Sequence, residues 1–344
     1  MPPRLKDVAA RAGVSIKTVS NVVNGFVHVA PETRRRVQAA IDALGYVPDP
    51  TARRLRGGGS GVIALAVPEL RSPYYAELAG LIVQAAEPRG WTVLIEQTDG
   101  RGDRITGLRR HSVDGLILAP QGVDREVPDG LPTVLLGERV LDGQTDHVAV
   151  DGAAAAGDAT RHLLRLGRWR IAAIGAPDRP PAIIRTQRLA GFRNALADSG
   201  LAVDPQLVVP VPGMHLADGA AAMAGLLDRV ERRPDAVFCF TDSLALGAIR
   251  TCLERGLDVP GDIAVIGFDG IEEGAYSTPS LSTIAPDTAR IAQLAVDLLA
   301  ERLGGGPSAA KPPREICVGH RLVARESTLG STSARSRWPP RSRA

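Results

Sequence analysis

From Val62 onward the chain alternates short, uninterrupted apolar runs with segments of helical periodicity, and this alternation limits the possible folds most severely. Val62–Val67, Gly115–Leu118, Ile171–Ile174, Ala236–Phe240 and Ile263–Ile266 read as strands, with aliphatic residues on both faces. Tyr75–Glu87, Ala153–Leu166, Arg188–Ser199, Ala217–Val230 and Leu244–Arg255 read as the intervening helices. A strand that is apolar on both faces must be covered on both, so the pattern predicts parallel sheets flanked by helices. The strands are too many for one compact sheet. Two doubly wound lobes are expected, with a ligand cleft between them at the carboxyl ends of the strands.

Bulk properties set the limits around that body. A length of 344 residues exceeds one ordinary domain. Cys239, Cys252 and Cys317 have neither disulfide-framework nor metal-ligand spacing, and each lies in or beside an apolar segment, so all three are expected to act as small buried hydrophobes. The six histidines are scattered without metal-ligand spacing, so no metal is expected. There is also no Gly-x-Ser-x-Gly elbow and no phosphate loop, so neither an enzyme nor a cofactor is expected. The first residues carry no apolar run and no stretch reaches the length of a membrane span, so a cytoplasmic location is expected. Charge is unevenly placed. Residues 1–60 hold ten Lys or Arg and four acids, a net +6, which leaves −3 for the remainder of the +3 total. A basic head on a mildly acidic body is the footprint of a polyanion binder.

In that head Leu5, Val8, Ala9 and Ala12 recur at helical spacing, and Gly13 stands where the helix must stop and turn. Ser15 is a good N-cap for a second helix, Ile16–Asn24, which turns Val19, Val22 and Val23 inward and leaves Ile16, Lys17, Ser20 and Asn21 facing outward. Pro31 and Gly45 bracket a third helix with a Val37, Ala40, Ile41, Leu44 stripe. Helix, tight turn, helix presents the second helix to a major groove.

The motifs Lys6-Asp7-Val8-Ala9, Ala12-Gly13-Val14-Ser15, Thr18-Val19-Ser20 and Val22-Val23-Asn24-Gly25, followed by Leu44-Gly45-Tyr46-Val47-Pro48, resemble the head of the lac repressor (LacI/GalR) family. The resemblance continues through Pro73-Tyr74-Tyr75, Val113-Asp114-Gly115, Arg188-Leu189-Ala190-Gly191-Phe192, Asp242-Ser243-Leu244-Ala245 and Val265-Ile266-Gly267-Phe268-Asp269, and covers about residues 4–329. It implies an all-α helix-turn-helix head (1–48), a hinge helix and linker (49–60) and a two-lobed effector-binding and dimerisation domain like the periplasmic sugar-binding proteins (61–329); the tail (330–344), rich in Ser, Arg and Pro and without a packing pattern, is expected to be disordered. It also implies crossovers, with Pro286–Leu303 returning to the first lobe and Glu315–Arg325 visiting the second.

By family position, Ile16, Lys17 and Asn21 are the base-reading residues. Lys17 suits guanine O6/N7 and Ile16 a thymine methyl, while Asn21 departs from the arginine of many relatives and suits adenine. Ser15, Thr18, Ser20 and Asn24 suit phosphate contacts or capping. In the hinge, Leu55 stands at the position of the family's minor-groove wedge, with Ala52 one turn before it. The effector contacts implied are Arg188, Thr241 and Asp269, with Ser72, Tyr74 and Tyr75 lining the first lobe and Asp242 read as a helix N-cap. The expected protein is a homodimeric or larger repressor of a near-palindromic double-stranded DNA operator, controlled by a sugar-like effector. A purine-like corepressor is the alternative, and a transporter's solute-binding protein a weaker one.

Overall fold

The computed structural model describes residues 3–23, 29–46, 59–98, 113–120, 130–138, 145–178, 183–229, 233–304 and 311–330. The hinge positions Ala52 and Leu55, Asn24, the 101–112 segment and the tail lie outside the described residues. Two compact units emerge: the chain up to Val62 with the short stretch ending at Asp114, and the rest.

The first unit contains α1 (Leu5–Ala12), α2 (Ile16–Val23) and α3 (Pro31–Leu44). Val8, Val19 and Val37 are fully buried where the three helices meet, with Ala9, Ala12, Val22, Ala40 and Tyr46 around them. Each buried valine contributes on the order of 1.5–3 kcal/mol, which a short head needs. Gly13 ends α1 at φ 62°, a conformation that favours glycine, and its N–H and that of Val14 turn back onto Ala10 and Ala9. Arg36 of α3 locks the turn by donating to the carbonyls of Ala12 at 2.6 Å and Gly13 at 3.3 Å. Elsewhere in this unit the Asp114 carboxylate gathers the Ser60 and Gly61 amides, at 2.6 and 2.5 Å, and the Ser60 hydroxyl at 2.9 Å.

The second unit holds two six-stranded sheets. The first lobe's sheet runs β11-β5-β4-β3-β1-β2, from β1 (Val62–Val67), β2 (Thr92–Gln97), β3 (Gly115–Leu118), β4 (Thr133–Glu138), β5 (Asp146–Val150) and β11 (Glu315–Val318). The second runs β12-β10-β9-β8-β6-β7, from β6 (Ile171–Ala176), β7 (Val208–Pro210), β8 (Ala236–Cys239), β9 (Ala264–Phe268), β10 (Ser282–Pro286) and β12 (His320–Val323). Helix α4 (Pro73–Ala86) packs on the first sheet. Helices α5 (Gly152–Arg165), α6 (Ile183–Asp198), α7 (Leu216–Arg229) and α8 (Asp242–Glu254) cover the second, and the short α9 (Glu272–Tyr276) follows β9.

Three segments cross between lobes. The chain leaves the first lobe after β5 into α5, whose Ala155, Ala156, Ala159 and Leu163 are buried in the second core. It returns after β10 through α10 (Thr288–Leu303), whose Ile291, Ala295 and Leu299 are buried in the first core, as the Pro286–Leu303 expectation had it. It crosses again between β11 and β12. The Glu315–Arg325 expectation is therefore corrected: β11 pairs in parallel with β5 of the first lobe, and only β12 joins the second lobe, followed by α11 (Glu326–Leu329). β12 runs antiparallel to β10, because a short link from one lobe to the next delivers the strand in the opposite sense at an open sheet edge. The cysteine expectation also needs one correction. Cys239 and Cys252 are buried, but Cys317 is exposed, since β11 is an edge strand with one face in water.

Candidate functional site

On α2 the Ser15 hydroxyl accepts the Thr18 amide at 3.1 Å and lies 2.9 Å from the Thr18 hydroxyl, so both residues build the helix start. Ile16 is 50% exposed despite being aliphatic, and Lys17 is exposed beside it. Ile16 is one of several exposed apolar side chains among the described residues, such as Leu70 and Leu216, so its exposure alone does not mark a contact. Asn21 is half-buried on the same helix. Ser20 corrects the sequence reading: it is buried, because it follows Val19 around the helix onto the side that faces the core, and it does not stand on the outward face.

The second constellation forms where strands of both lobes end. Arg188, on α6 of the second lobe, is 7% exposed. Its Nε donates to Glu138 Oε1 at 3.0 Å, and Glu138 is the last residue of β4 in the first lobe. Its Nη1 donates to the Phe240 carbonyl and lies 3.6 Å from Asp269 Oδ1. The guanidinium rests over the Phe268 ring, 3.5 Å from its centroid. A buried guanidinium thus joins the lobes and stands between the buried Glu138 carboxyl and the largely covered Asp269 carboxyl.

Asp269 has φ 119°, the one non-glycine residue among those described with φ in this sparsely populated region, at a cost of about 1–3 kcal/mol. Its N–H is fixed to the Ile284 carbonyl at 2.9 Å, so the strained residue is held by β10. Burial drives its carboxyl up to about 7; Arg188 opposes the shift and Glu138 adds to it. Burial also raises the Glu138 carboxyl, against the pull of Arg188. Glu138 Oε2 lies against Gly152, where a Cβ would come within 1.6 Å of it, so this glycine is the space the carboxylate occupies. The Gly152 amide points toward the carboxylate, yet Oε2 is buried without a hydrogen bond of good geometry.

Tyr74 of α4 feels Asp269, Arg188 and Glu138, and its phenol is pushed upward chiefly by burial, then by Tyr75. The Tyr74 and Tyr75 rings meet edge to face with centroids 5.3 Å apart, and both pack on the first lobe's core. Ser72 stands at the N-cap position of α4 without a side-chain capping bond. Thr241 caps α8, its hydroxyl accepting the Leu244 amide at 3.2 Å and donating to the Met214 carbonyl at 3.4 Å. The N-cap reading of Asp242 is therefore replaced. Asp242 is the first helical residue, and its buried carboxylate accepts the Thr283 hydroxyl at 2.6 Å and the Gly270 and Ile271 amides at 2.8 and 2.9 Å. That network fixes the backbone immediately after Asp269.

Next to these residues an open cleft of about 510 Å³ is lined by Pro73, Ala76 and Glu77 from α4 and by Gly270, Glu272 and Glu273 from the second lobe. Glu69 and His215 also face one another between the lobes at 3.3 Å. Tyr74, Arg188 and Asp269 are brought together, and Ser72, Tyr75 and Thr241 stand on the elements around them. Glu138 was passed over by the sequence reading. The signal was an acid closing the apolar run Val134–Leu136, at the carboxyl end of a strand where doubly wound folds bind ligands.

The head, the two lobes and the three crossings define a two-part architecture, a helix-turn-helix reader followed by a cleft-bearing body. Comparison with known proteins gives the same division. The profile of the bacterial regulatory proteins of the lacI family matches residues 4–49, and that of the periplasmic binding protein-like domain matches residues 160–328. The HTH-type transcriptional regulator MalR of Streptomyces coelicolor is 36% identical over 355 residues, covering 98% of this chain and all of that protein. The lac repressor dimer bound to operator and the anti-inducer ONPF superposes with a TM-score of 0.81 at 28% identity, covering 96% of this chain and 100% of that one. The complex of the transcriptional regulator CelR with cellobiose gives a TM-score of 0.70 at 32% identity, covering 94% and 99%. The chain belongs to the lacI family of bacterial transcriptional regulators. Among the described residues no helix is long and apolar enough to cross a membrane.

Proposed function

We propose that this chain is a transcriptional repressor that binds a near-palindromic operator as a dimer and is switched by a sugar in the cleft between its lobes. Ile16, Lys17 and Asn21 read base edges, Ser15 and Thr18 order the start of the reading helix near the phosphates, and Asn24 adds a phosphate contact. Leu55, supported by Ala52, wedges into the minor groove at the operator centre. In the cleft Arg188 and Asp269 offer a charged donor and acceptor to sugar hydroxyls. Thr241 adds a hydroxyl, while Ser72, Tyr74 and Tyr75 supply the first-lobe wall. The reading is one of binding: Arg188, Glu138 and Asp269 are paired with one another, and a ligand hydroxyl exchanges with those partners.

The observation that carries this reading is Arg188, one side chain of the second lobe held by Glu138 of the first and by Asp269. A ligand that takes a donor from Arg188 alters the contact between lobes, which gives it different affinities for two lobe arrangements. That difference is what couples effector to operator, in both directions. A purine-like corepressor is the second reading; Phe268, the aromatic ring in contact with Arg188, is buried and covered by the guanidinium, so it offers a base no open face.

Footprinting of the full chain on DNA flanking its own coding sequence, with and without mono- and disaccharides, tests the proposal. A protected palindrome whose protection a sugar relieves is the expected result. No protected stretch at moderate ionic strength, with or without ligands, sinks it. On a protected site, replacing Leu55 with Ala reduces operator bending, and an unchanged bend angle removes the wedge from the mechanism.

A further inference from the structure

We propose that the cleft is built for an uncharged effector and rejects phosphorylated or carboxylated molecules, and that Glu138 is the residue that sets this rule. The proposal rests on the reading of the cleft as the effector site and adds the chemical class of its ligand.

The argument begins with charge. One guanidinium, Arg188, stands between two carboxylates, Glu138 at 3.0 Å and Asp269 at 3.6 Å. All three are withdrawn from water, with Glu138 5% exposed, so neither salt nor solvent screens their fields well. An anionic group seeking Arg188 finds its acceptor place already held by the protein's own carboxyl groups, and above about pH 7, where Asp269 is ionised, it meets like charge in a medium that does not weaken the repulsion. The approach carries the same sign. Glu77, Glu272 and Glu273 line the adjoining cleft, and burial followed by these two neighbours raises the Glu77 carboxyl.

A hydroxyl meets a different situation, because it donates and accepts at once. It can accept from the guanidinium while giving its proton to a carboxylate. Glu138 Oε2 is an acceptor of the right kind, buried, without a well-formed hydrogen bond, and kept in place by the space at Gly152. Asp269 cannot retreat from the site, since its backbone is pinned to Ile284 and the loop behind it is tied to Asp242. The site therefore accepts neutral donors and acceptors and resists an added negative charge.

The test uses the full chain and three probes: inorganic phosphate, glucose 6-phosphate and glucose. Binding is followed by calorimetry and thermal melting for wild type, Glu138→Gln and Asp269→Asn, with circular dichroism and operator binding establishing that each variant is folded. Wild type should show no Arg188-dependent stabilisation by phosphate or glucose 6-phosphate. At about pH 8, where Asp269 is ionised, removing either carboxylate charge should tighten phosphate binding by at least about tenfold, and adding Arg188→Lys to the variant should reverse much of that gain. Phosphate or glucose 6-phosphate binding to wild type through Arg188 overturns the proposal, as does the failure of both charge-removing variants to gain anion affinity. The underlying reading fails separately. If sugars that release operator act with unchanged affinity on Glu138→Gln and Asp269→Asn, the effector site lies elsewhere. If their affinity changes while wild type also takes phosphate, only the charge rule is lost.

Discussion

In the head, Ile16 and Lys17 stand in water on a helix whose start is closed by its own Ser15 and Thr18. In the cleft, Arg188, Asp269 and Glu138 are largely removed from water and pair with partners about 50 to 80 residues away in the chain. The head has a packed scaffold and leaves Ile16 and Lys17 in water, where the proposed function has them meet DNA. The cleft does the reverse, pairing its groups internally so that a ligand must exchange one partner for another. The contrast predicts that changes at cleft residues act on stability and on ligand response together, while changes on the head's outward face act on DNA affinity alone.

Arg188→Ala should be the most severe test. It leaves two carboxylates buried without their cation, and stability should fall by about 3–5 kcal/mol in denaturant unfolding followed in the second unit. A loss near zero would mean that the cleft is hydrated and not a buried charge network. Lys17→Ala belongs to the other regime, with roughly 1–3 kcal/mol lost on the true operator and no change in unfolding. Equal loss on random DNA would demote Lys17 to a phosphate contact. Ser15→Ala should cost about 1 kcal/mol by removing the cap of α2, measured as the melting of the head.

The pH response sharpens the contrast further. Asp269 holds its proton up to about 7 when folded, and ionises near 4 in an unfolded chain. Folded chains then bind more protons than unfolded ones across that window, so stability declines as pH rises from about 4 to 7 and levels off above it. Glu138, also raised, acts in the same direction. Asp269→Asn should flatten the profile by several degrees in apparent melting temperature. An unchanged profile would show that this carboxyl ionises as freely in the fold as outside it.

Much of this was legible in the sequence because it is local. The three head helices, the Gly13 turn and the Ser15 cap each follow from spacing within about a dozen residues. The double-lobed body follows from Val62–Val67 and its counterparts being apolar on both faces. What escaped was decided by distant chain. Ser20 looked outward on a helical wheel, but the packing of α1 and α3 reaches far enough around α2 to bury it. Asp242 looked like a cap, yet the Gly270 and Ile271 amides, some 28 residues on, claim its carboxylate and leave capping to Thr241. Glu138 gave only the signal of a charge after an apolar run. Its importance depends on Arg188 arriving from the other lobe, and no periodicity encodes that meeting.

The three crossings between lobes have a consequence for synthesis on the ribosome. The first lobe is missing α10 and β11 until residue 318 has been made, although most of its strands are translated before residue 151. The second lobe awaits β12 at 320–323. Each lacks an edge strand until residues 315–323 are made, so nascent chains carry two unfinished sheets up to that point. A premature stop shortly before residue 315 would therefore cripple the earliest-translated lobe as surely as the latest.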